Sequence, residues 1–251
     1  MKAIILAAGY ATRLPIASGI PKPLLPVWGK PVISHIMEQI DGVDGVDEVY
    51  LVSNGKFAGH FEKWLESHEY AANITILNNG TKTPETRLGA IGDIIFAMEK
   101  IGLDDDVLII CGDNLFTFDL AEFVAFHKKT GGDCVCAKEV DDIEKLKSFA
   151  VATTDENGII TDFVEKPESP KSNLAVFGLY IYKKDSMAML KQYIAEGGNP
   201  DAPGNFPQWL HKRKPIFCFK FKGECFDIGT LKAYEEVLLR STKCAIIYSI
   251  T

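Results

Sequence analysis

An α/β fold, Rossmann-like, with a mixed, mostly parallel central sheet, helices on both faces and an inserted β-hairpin region, is predicted by three features of the sequence. The first half alternates short, continuously apolar runs with amphipathic stretches, and strands that are apolar throughout belong to parallel sheets covered on both faces. The second half contains two runs joined at Asn157-Gly158, a turn pair that favours a tight hairpin. With 251 residues, 47% of them apolar, the chain is long enough to bury a sizeable core.

The elements follow in chain order. "AIILAA" (3–8) predicts the first strand, "PVISHIMEQI" (31–40) a helix opened by Pro31, and "EVYLVS" (48–53) a second strand. Residues 55–70 set Phe57, Phe61, Trp64, Leu65 and His68 on one helical stripe. "ITIL" (74–77) reads as a strand, 87–101 as a helix and "DVLIIC" (106–111) as a strand. A helix over 119–129 and a strand over 133–140 begin the second half. The hairpin pairs 149–154 with 159–165, and "LAVFGLYIY" (174–182) is a further strand. A helix over 184–196, a Gly/Pro-rich loop at 197–207, a strand at 216–221 and a helix from about 231 complete the order. The tail "AIIYSIT" fits a strand or an interface equally well. No repeat, low-complexity tract or linker interrupts the chain, so residues 1–251 read as one domain with halves 1–115 and 116–251.

Charge and composition narrow the function. A net charge of −7 argues against a nucleic-acid-coating or anionic-membrane surface. It leaves room for a small anion held by a few local cations. No run approaches the ~20 apolar residues of a spanning helix, and the run at 3–8 is short for a signal sequence. Cys111, Cys134, Cys136, Cys218, Cys225 and Cys244 lack CxxC spacing and read as reduced, buried thiols, which suits a cytoplasmic protein. Cys134 and Cys136 share a strand face and read as small core residues before a metal pair. The five histidines lack H-x-x-x-H spacing and are expected at the surface or half-buried.

The chemistry concentrates after the first strand, in "AIILAAGYATRL" (3–14) and "IPKPLLPVWGKP" (20–31). Ligands of open α/β sheets bind beyond the carboxyl ends of the strands. Gly9 stands at such an end, where a missing Cβ lets backbone N–H groups approach phosphate oxygens. Neither G-x-x-x-x-G-K-[ST] nor G-x-G-x-x-G is present. Pro15, Pro21, Pro23 and Pro26 oppose a helix here. An extended loop remains, able to fold Arg13 and Lys22 back on a triphosphate.

"LAAGYATRL" with "PKPLLP" resembles the sugar nucleotidyltransferases, the sugar-1-phosphate pyrophosphorylases, whose pattern is roughly L-A-[AG]-G-x-G-T-R-L followed by a lysine in a Pro-rich segment. The resemblance recurs in order at "GDN" (112–114), "EKPESPKSN" (165–173), "FGLYIY" (177–182) and "FDIGT" (226–230). It is most similar to the glucose-1-phosphate thymidylyltransferase branch and its near relatives. It implies a sheet of the nucleotide-diphospho-sugar transferase type and a reaction in which sugar-1-phosphate attacks the α-phosphorus of an NTP, releasing pyrophosphate. TTP or UTP and glucose-1-phosphate are the favoured pair. The attacking oxygen is already anionic, so the site needs no general base; it must offset repulsion between two polyanions and stabilise the leaving group.

The resemblance also implies roles. Asp113 and Asp227 would hold Mg²⁺, while Arg13 and Lys22 would neutralise the triphosphate and the leaving pyrophosphate. The nucleotide falls to Leu6, Ala7, Ala8, Gly9, Ala11, Thr12, Arg13, Lys22 and Gly112, with Asn78 or Asn79 reading the base. The sugar phosphate falls to Asn114, Ala150, Glu165, Lys166, Asn173 and Tyr180, though Tyr180 also suits a core position. Four departures stand out. Ala11 replaces a glycine, the Arg13–Lys22 spacing is short, and Phe149-Ala150-Val151 stands where relatives often have Tyr-Gly-Val. Arg87-Leu88-Gly89-Ala90 follows a longer loop in place of a Gln and a G-x-A-x-A turn. The base accordingly stays open among TTP, UTP and CTP. Two other readings stand beside the first: a cytidylyltransferase acting on another sugar or alcohol phosphate, and a non-catalytic nucleotide-sugar-binding regulatory protein. The expected partners are small molecules, with no nucleic acid and no membrane, and a homo-oligomer is compatible with the sequence.

Overall fold

The computed structural model describes residues 1–12, 14 and 19–248. Among these the first half forms β1 (Lys2–Leu6), the short strands β2 (Pro26–Val27) and β3 (Lys30–Pro31), α1 (Val32–Asp41), β4 (Glu48–Ser53), α2 (Ala58–Glu66) and β5 (Asn73–Asn78). Next come α3 (Gly89–Ile101), β6 (Val107–Cys111), β7 (Asn114–Phe116), α4 (Leu120–Thr130) and β8 (Asp133–Glu139). They are followed by α5 (Ile143–Leu146), β9 (Ala150–Thr154), β10 (Ile160–Glu165), β11 (Leu174–Tyr182), α6 (Lys184–Ala188) and α7 (Leu190–Ala195). The last elements are α8 (Asn205–Leu210), β12 (Ile216–Lys220), β13 (Cys225–Asp227) and α9 (Leu231–Tyr248).

One sheet runs through both halves in the order β10-β9-β11-β6-β1-β4-β5, with β8 also paired to β11 and β12 to β8. β1 lies between β4 and β6, parallel to both, and β5 continues the parallel part. β11 joins β6 antiparallel, which is where the sheet becomes mixed. The apolar runs explain this arrangement. Successive strand residues face opposite sides, so Ala3 and Ile5 enter one core while Ile4 enters the other. β6 divides likewise, Leu108 and Ile110 against Val107 and Ile109. The apolar stripe of α1 (Ile33, Ile36, Met37, Ile40) covers the first face, and Ile91, Ile94 and Ala97 of α3 cover the second. Each of these Ile, Leu, Val and Met side chains contributes about 1.5–3 kcal/mol on burial.

Several boundaries differ from expectation for identifiable reasons. The helix expected over 184–196 breaks at Met189, whose N–H bonds the Ser186 carbonyl three residues back. α8 starts inside the stretch read as loop, because Pro207 sits in its first turn, where an N–H has no helical partner to lose. α2 ends at Glu66, so His68 lies beyond it and bonds the Trp64 carbonyl. Trp28 and Gly29 both adopt positive φ in the tight β2–β3 turn, and the Trp28 indole donates to Val237 O of α9. His127 is buried rather than half-exposed, its ring held between Gly132 O and Asp106. Cys134 and Cys136 lie in the core on one face of β8, and the five cysteines with described side chains are free thiols. The tail continues α9 through Tyr248; Ser249 to Thr251 lie outside the described residues. Among the described residues no helix is long and apolar enough to cross a membrane.

Candidate active site

The carboxyl ends of β1 and β6 and the Val176–Gly178 stretch of antiparallel β11 open on one side of the sheet. β1 is prolonged by Ala7 N–H on Val52 O and by Gly112 N–H on Leu6 O. Asn54, fully buried, then donates to Ala8 O while its Oδ1 accepts from Lys56 and Phe57 N–H. This pins the start of the loop to the head of α2. A Cβ at Gly9 would meet nothing, so that backbone faces open space. Ala11 takes φ +55, a conformation that costs an alanine roughly 1–2 kcal/mol and that a glycine adopts freely. Arg13 lies outside the described residues.

Lys22 follows Pro21 into a 3-10 turn, Lys22–Leu24, and its Nζ donates to Asp113 Oδ2 at 3.0 Å. Asp113 ends the β6 segment, and β7 beside it pairs antiparallel with β13, so that Asp227 stands opposite Asn114. Ile228 N–H bonds Asp113 O at 2.9 Å, fastening the two aspartate segments together. Residues 114 positions apart are thereby brought side by side. Neither aspartate caps the next helix: Asp119 accepts from Ala121 N–H, and Thr230 from Ala233 N–H. Asn114 holds the arrangement, donating from Nδ2 to Asp113 Oδ1 and accepting Gly178 N–H on its own Oδ1. Gly178 marks an irregularity in β11, and a Cβ there would collide with Cys111 Sγ.

The hairpin supplies the other wall. Glu165, the last residue of β10, pairs with Ala150 at the start of β9. Its N–H is bonded by Gln208 of α8, and burial raises its carboxyl above the usual range. Lys166 takes φ +49 and sets its Nζ 3.6 Å from Glu165 Oε1. A Cβ at Gly204 would strike Glu165 Oε2. The segment before it, Pro200–Asp201, crosses to α3, where its carbonyls accept from Ile91 and Ala90 N–H and Asp201 pairs with Arg87.

These walls enclose a cleft of about 520 Å³. One end is lined by Ala8, Gly9, Tyr10, Arg87, Gly89 and Asp93, the middle by Asp113 and Asp227, the other end by Phe149, Ala150, Glu165, Lys166, Gly178 and Tyr180. A smaller recess of about 150 Å³ adjoins it at Ala7, Gly9, Ala11, Thr12 and Lys22. Leu6, Thr12 and Asn114 also line the cleft. Four anticipated residues line neither space, the first being Asn79, whose Nδ2 donates to Asp93 Oδ1. Asn78 is exposed and accepts Gly80 N–H, Gly112 is wedged between Leu6 O and Pro23, and Asn173 is exposed with its carbonyl on Val140 N–H. Tyr180 is both a wall residue and a core residue, buried and stacked on Tyr182.

Asp93 is the main residue that sequence reasoning missed. It lies on the buried side of α3, 7% exposed, and accepts from Asn79 Nδ2 at 2.7 Å. Burial pushes its carboxyl up to about 6, against the lowering effect of the Asn79 bond. The available signal was an acid among Ile91, Ile94 and Ala97, at a position where a helix facing a core should be apolar.

Asp113, bonded by the Lys22 ammonium, and Asp227 line one cleft as an all-oxygen donor pair. That set fits a hard divalent cation which completes its shell from water and phosphate. Among the described residues no group of three or more His, Cys, Asp or Glu converges elsewhere as a metal site.

An α/β sheet whose strand ends carry a glycine loop, a lysine and two facing aspartates suits enzymes that handle phosphate esters, and comparison with known proteins gives the family. The chain belongs to the nucleotidyl transferase family, whose model matches residues 2–243. It is 32% identical over 231 residues to the bifunctional protein GlmU of Methanocaldococcus jannaschii, covering 91% of this chain and 51% of that protein. It is 29% identical over 248 residues to UTP–glucose-1-phosphate uridylyltransferase of a Synechocystis species, covering 95% of this chain and 62% of that one. The chain thus spans between about half and under two thirds of the length of these curated relatives. Among solved structures, a UDP-glucose pyrophosphorylase complexed with UDP-glucose superposes with a TM-score of 0.81 at 26% identity, covering 96% of this chain and 98% of that one. A Bacillus anthracis structure assigned as a glucose-1-phosphate thymidylyltransferase gives 0.82 at 26% identity, covering 96% and 95%.

Proposed function

We propose that the protein is a Mg²⁺-dependent sugar-1-phosphate nucleotidyltransferase, joining an NTP and a sugar-1-phosphate into an NDP-sugar with release of pyrophosphate. TTP or UTP and glucose-1-phosphate are the leading pair, and residues 1–251 act as one domain with a nucleotide half (1–115) and a sugar-phosphate half (116–251). The observation that carries this is the convergence of Asp113 and Asp227, the latter paired with Asn114, on one cleft whose ends differ in chemistry. Backbone at Ala8–Gly9 and the Gly89 turn favour a nucleoside at one end; Glu165 and Lys166 favour hydroxyls and a phosphate at the other. The free, buried thiols support a cytoplasmic setting.

In this mechanism Asp113 and Asp227 hold the metal, which when bound lowers the repulsion between the two phosphates. Lys22 shifts from Asp113 to the triphosphate and carries positive charge to the leaving pyrophosphate. Lys166 holds the sugar phosphate so that its oxygen faces the α-phosphorus in line. Glu165 accepts from sugar hydroxyls, and Asn114 keeps Asp113 oriented. No residue needs to remove a proton.

Asp113→Ala and Asp227→Ala should each lower turnover by at least about 10³-fold, the scale expected when charge stabilisation in a phosphoryl transfer is lost. Lys166→Ala should act mainly on KM for the sugar phosphate. Steady-state pyrophosphate release measures both, and near-normal rates in the two aspartate variants would remove the metal assignment. The regulatory-protein reading predicts ligand binding with no pyrophosphate from the unaltered protein.

A further inference from the structure

Asp93 stands out because a carboxylate is buried at the nucleoside end of the cleft without a cation. Among the described residues no lysine, arginine or histidine pairs with it; Arg87 nearby is engaged with Asp201 and Pro84 O. Its Oδ1 receives Asn79 Nδ2, while its Oδ2 takes no hydrogen bond among the described residues, and the side chain lines the cleft. That oxygen is not among the fully buried unpartnered side-chain atoms, so it opens on the cleft. A ligand donor arriving from the cleft would satisfy it.

The hydrogen bonds behind Asp93 run in one direction. Tyr10 OH donates to Thr81 Oγ1, which donates to Asn79 Oδ1. Thr81 backbone N–H also donates to Asn79 Oδ1, and that main-chain donor fixes which way the Asn79 amide faces. Asn79 must therefore present Nδ2 to Asp93. Every donor in the chain points toward the carboxylate, which makes Asp93 a terminal acceptor. Asn79 is spent within the protein, with both ends of its amide committed.

We infer that Asp93 selects the nucleobase by accepting its ring N–H, so that the site takes a keto base (uracil, thymine or guanine) and rejects cytosine and adenine. This deepens the nucleotidyltransferase reading and rests on it. The three keto bases carry a proton on the pairing-edge ring nitrogen, N3 of uracil and thymine or N1 of guanine. In cytosine and adenine the corresponding nitrogen is itself an acceptor, and it would set a lone pair against the Asp93 oxygen. Sites built around one hydrogen bond to the substrate reject analogues lacking it strongly, because the protein group is then left unpaired. Asp93→Asn reverses the chemistry at constant shape, since an amide can turn its NH₂ toward a ring acceptor.

UTP and CTP are the cleanest probes, differing only at N3 and C4 of the base. Calorimetric titration of the whole chain with each, without sugar phosphate, should give UTP at least about 30-fold tighter than CTP. In Asp93→Asn the ratio should fall to within about 3-fold of unity or invert. Asp93→Ala, which neither accepts nor donates, should also collapse the ratio, by weakening UTP alone, and it serves if the amide variant misfolds. A UTP:CTP ratio unchanged in both variants, or near unity in the unaltered protein, overturns the inference and leaves the nucleotidyltransferase reading standing. A change in the UTP:dUTP ratio with UTP:CTP constant places Asp93 on the ribose and also overturns it. Failure of the unaltered protein to bind UTP, TTP, GTP, CTP or ATP at all overturns both readings together.

Discussion

Lys22 Nζ lies 3.0 Å from Asp113 Oδ2, so the lysine and the carboxylate offset each other's charge within the cleft. Asp93 is the opposite case, a carboxylate with no counter-charge among the described residues. Its pKa, raised from 3.8 to about 6, means that the folded state disfavours the ionised form. The sign follows directly: well below 3.8 the group is protonated in both states and costs nothing. As pH rises through the unfolded value and then past 6, stability is lost, by at most about 3 kcal/mol for a shift of this size. Asp93→Asn should therefore raise the denaturation midpoint much more at pH 8 than at pH 4, as followed by urea titration. Equal gains at both pH values would show that charge is not the cause. A residue that weakens the fold at neutral pH while lining a ligand cleft fits the trade of stability for function.

At the scale of elements, the span from Pro200 to Gly204 joins the two ends of the cleft. Its first residues cap the start of α3 through Ala90 and Ile91, and its last lies against Glu165 and Ala150. A methyl at Gly204 would meet Glu165 Oε2 and lie 3.3 Å from the Ala150 methyl. Gly204→Ala should push the Glu165 carboxylate out of place, raising KM for the sugar phosphate by about 10- to 100-fold with less than about 3-fold change for the NTP. Equal effects on both substrates would mean that the whole span had moved. Gly89 is constrained at the other end, with φ +77 and Pro200 O only 2.5 Å from where a Cβ would lie. Both glycines are explained by what crosses above them, which no local sequence pattern reveals.

For the whole molecule, long apolar strands were the most readable part. The bounds expected for β4 (48–53) and β11 (174–182) coincide with those observed, because an uninterrupted β-rich run between turn residues has few alternatives. The mixed sheet and the family were likewise legible from the sequence. The three-residue strands β7 and β13 were not, since so short a segment carries no periodicity, yet their pairing is what sets Asp113 beside Asp227. Motif resemblance therefore named both aspartates, while only the fold shows them together. The sequence puts either Asn78 or Asn79 forward as base reader, but the Asn78 side chain turns back on Gly80, and Asn79 points to a helix residue fourteen positions away. Long-range partners of this kind are invisible to spacing alone.

Metal-dependent nucleotidyl transfer between the two ends of one cleft is the role proposed for Asp113 and Asp227. It is tested most directly by measuring pyrophosphate release from the unaltered protein across TTP, UTP, GTP, CTP and ATP and a panel of sugar-1-phosphates, with Mg²⁺ and with EDTA. The account predicts release that requires both substrates, is abolished by EDTA, and is confined to NTPs with keto bases, strongest with UTP or TTP and glucose-1-phosphate. Tight nucleotide or nucleotide-sugar binding with no pyrophosphate from any pair, at any Mg²⁺ concentration, would contradict it.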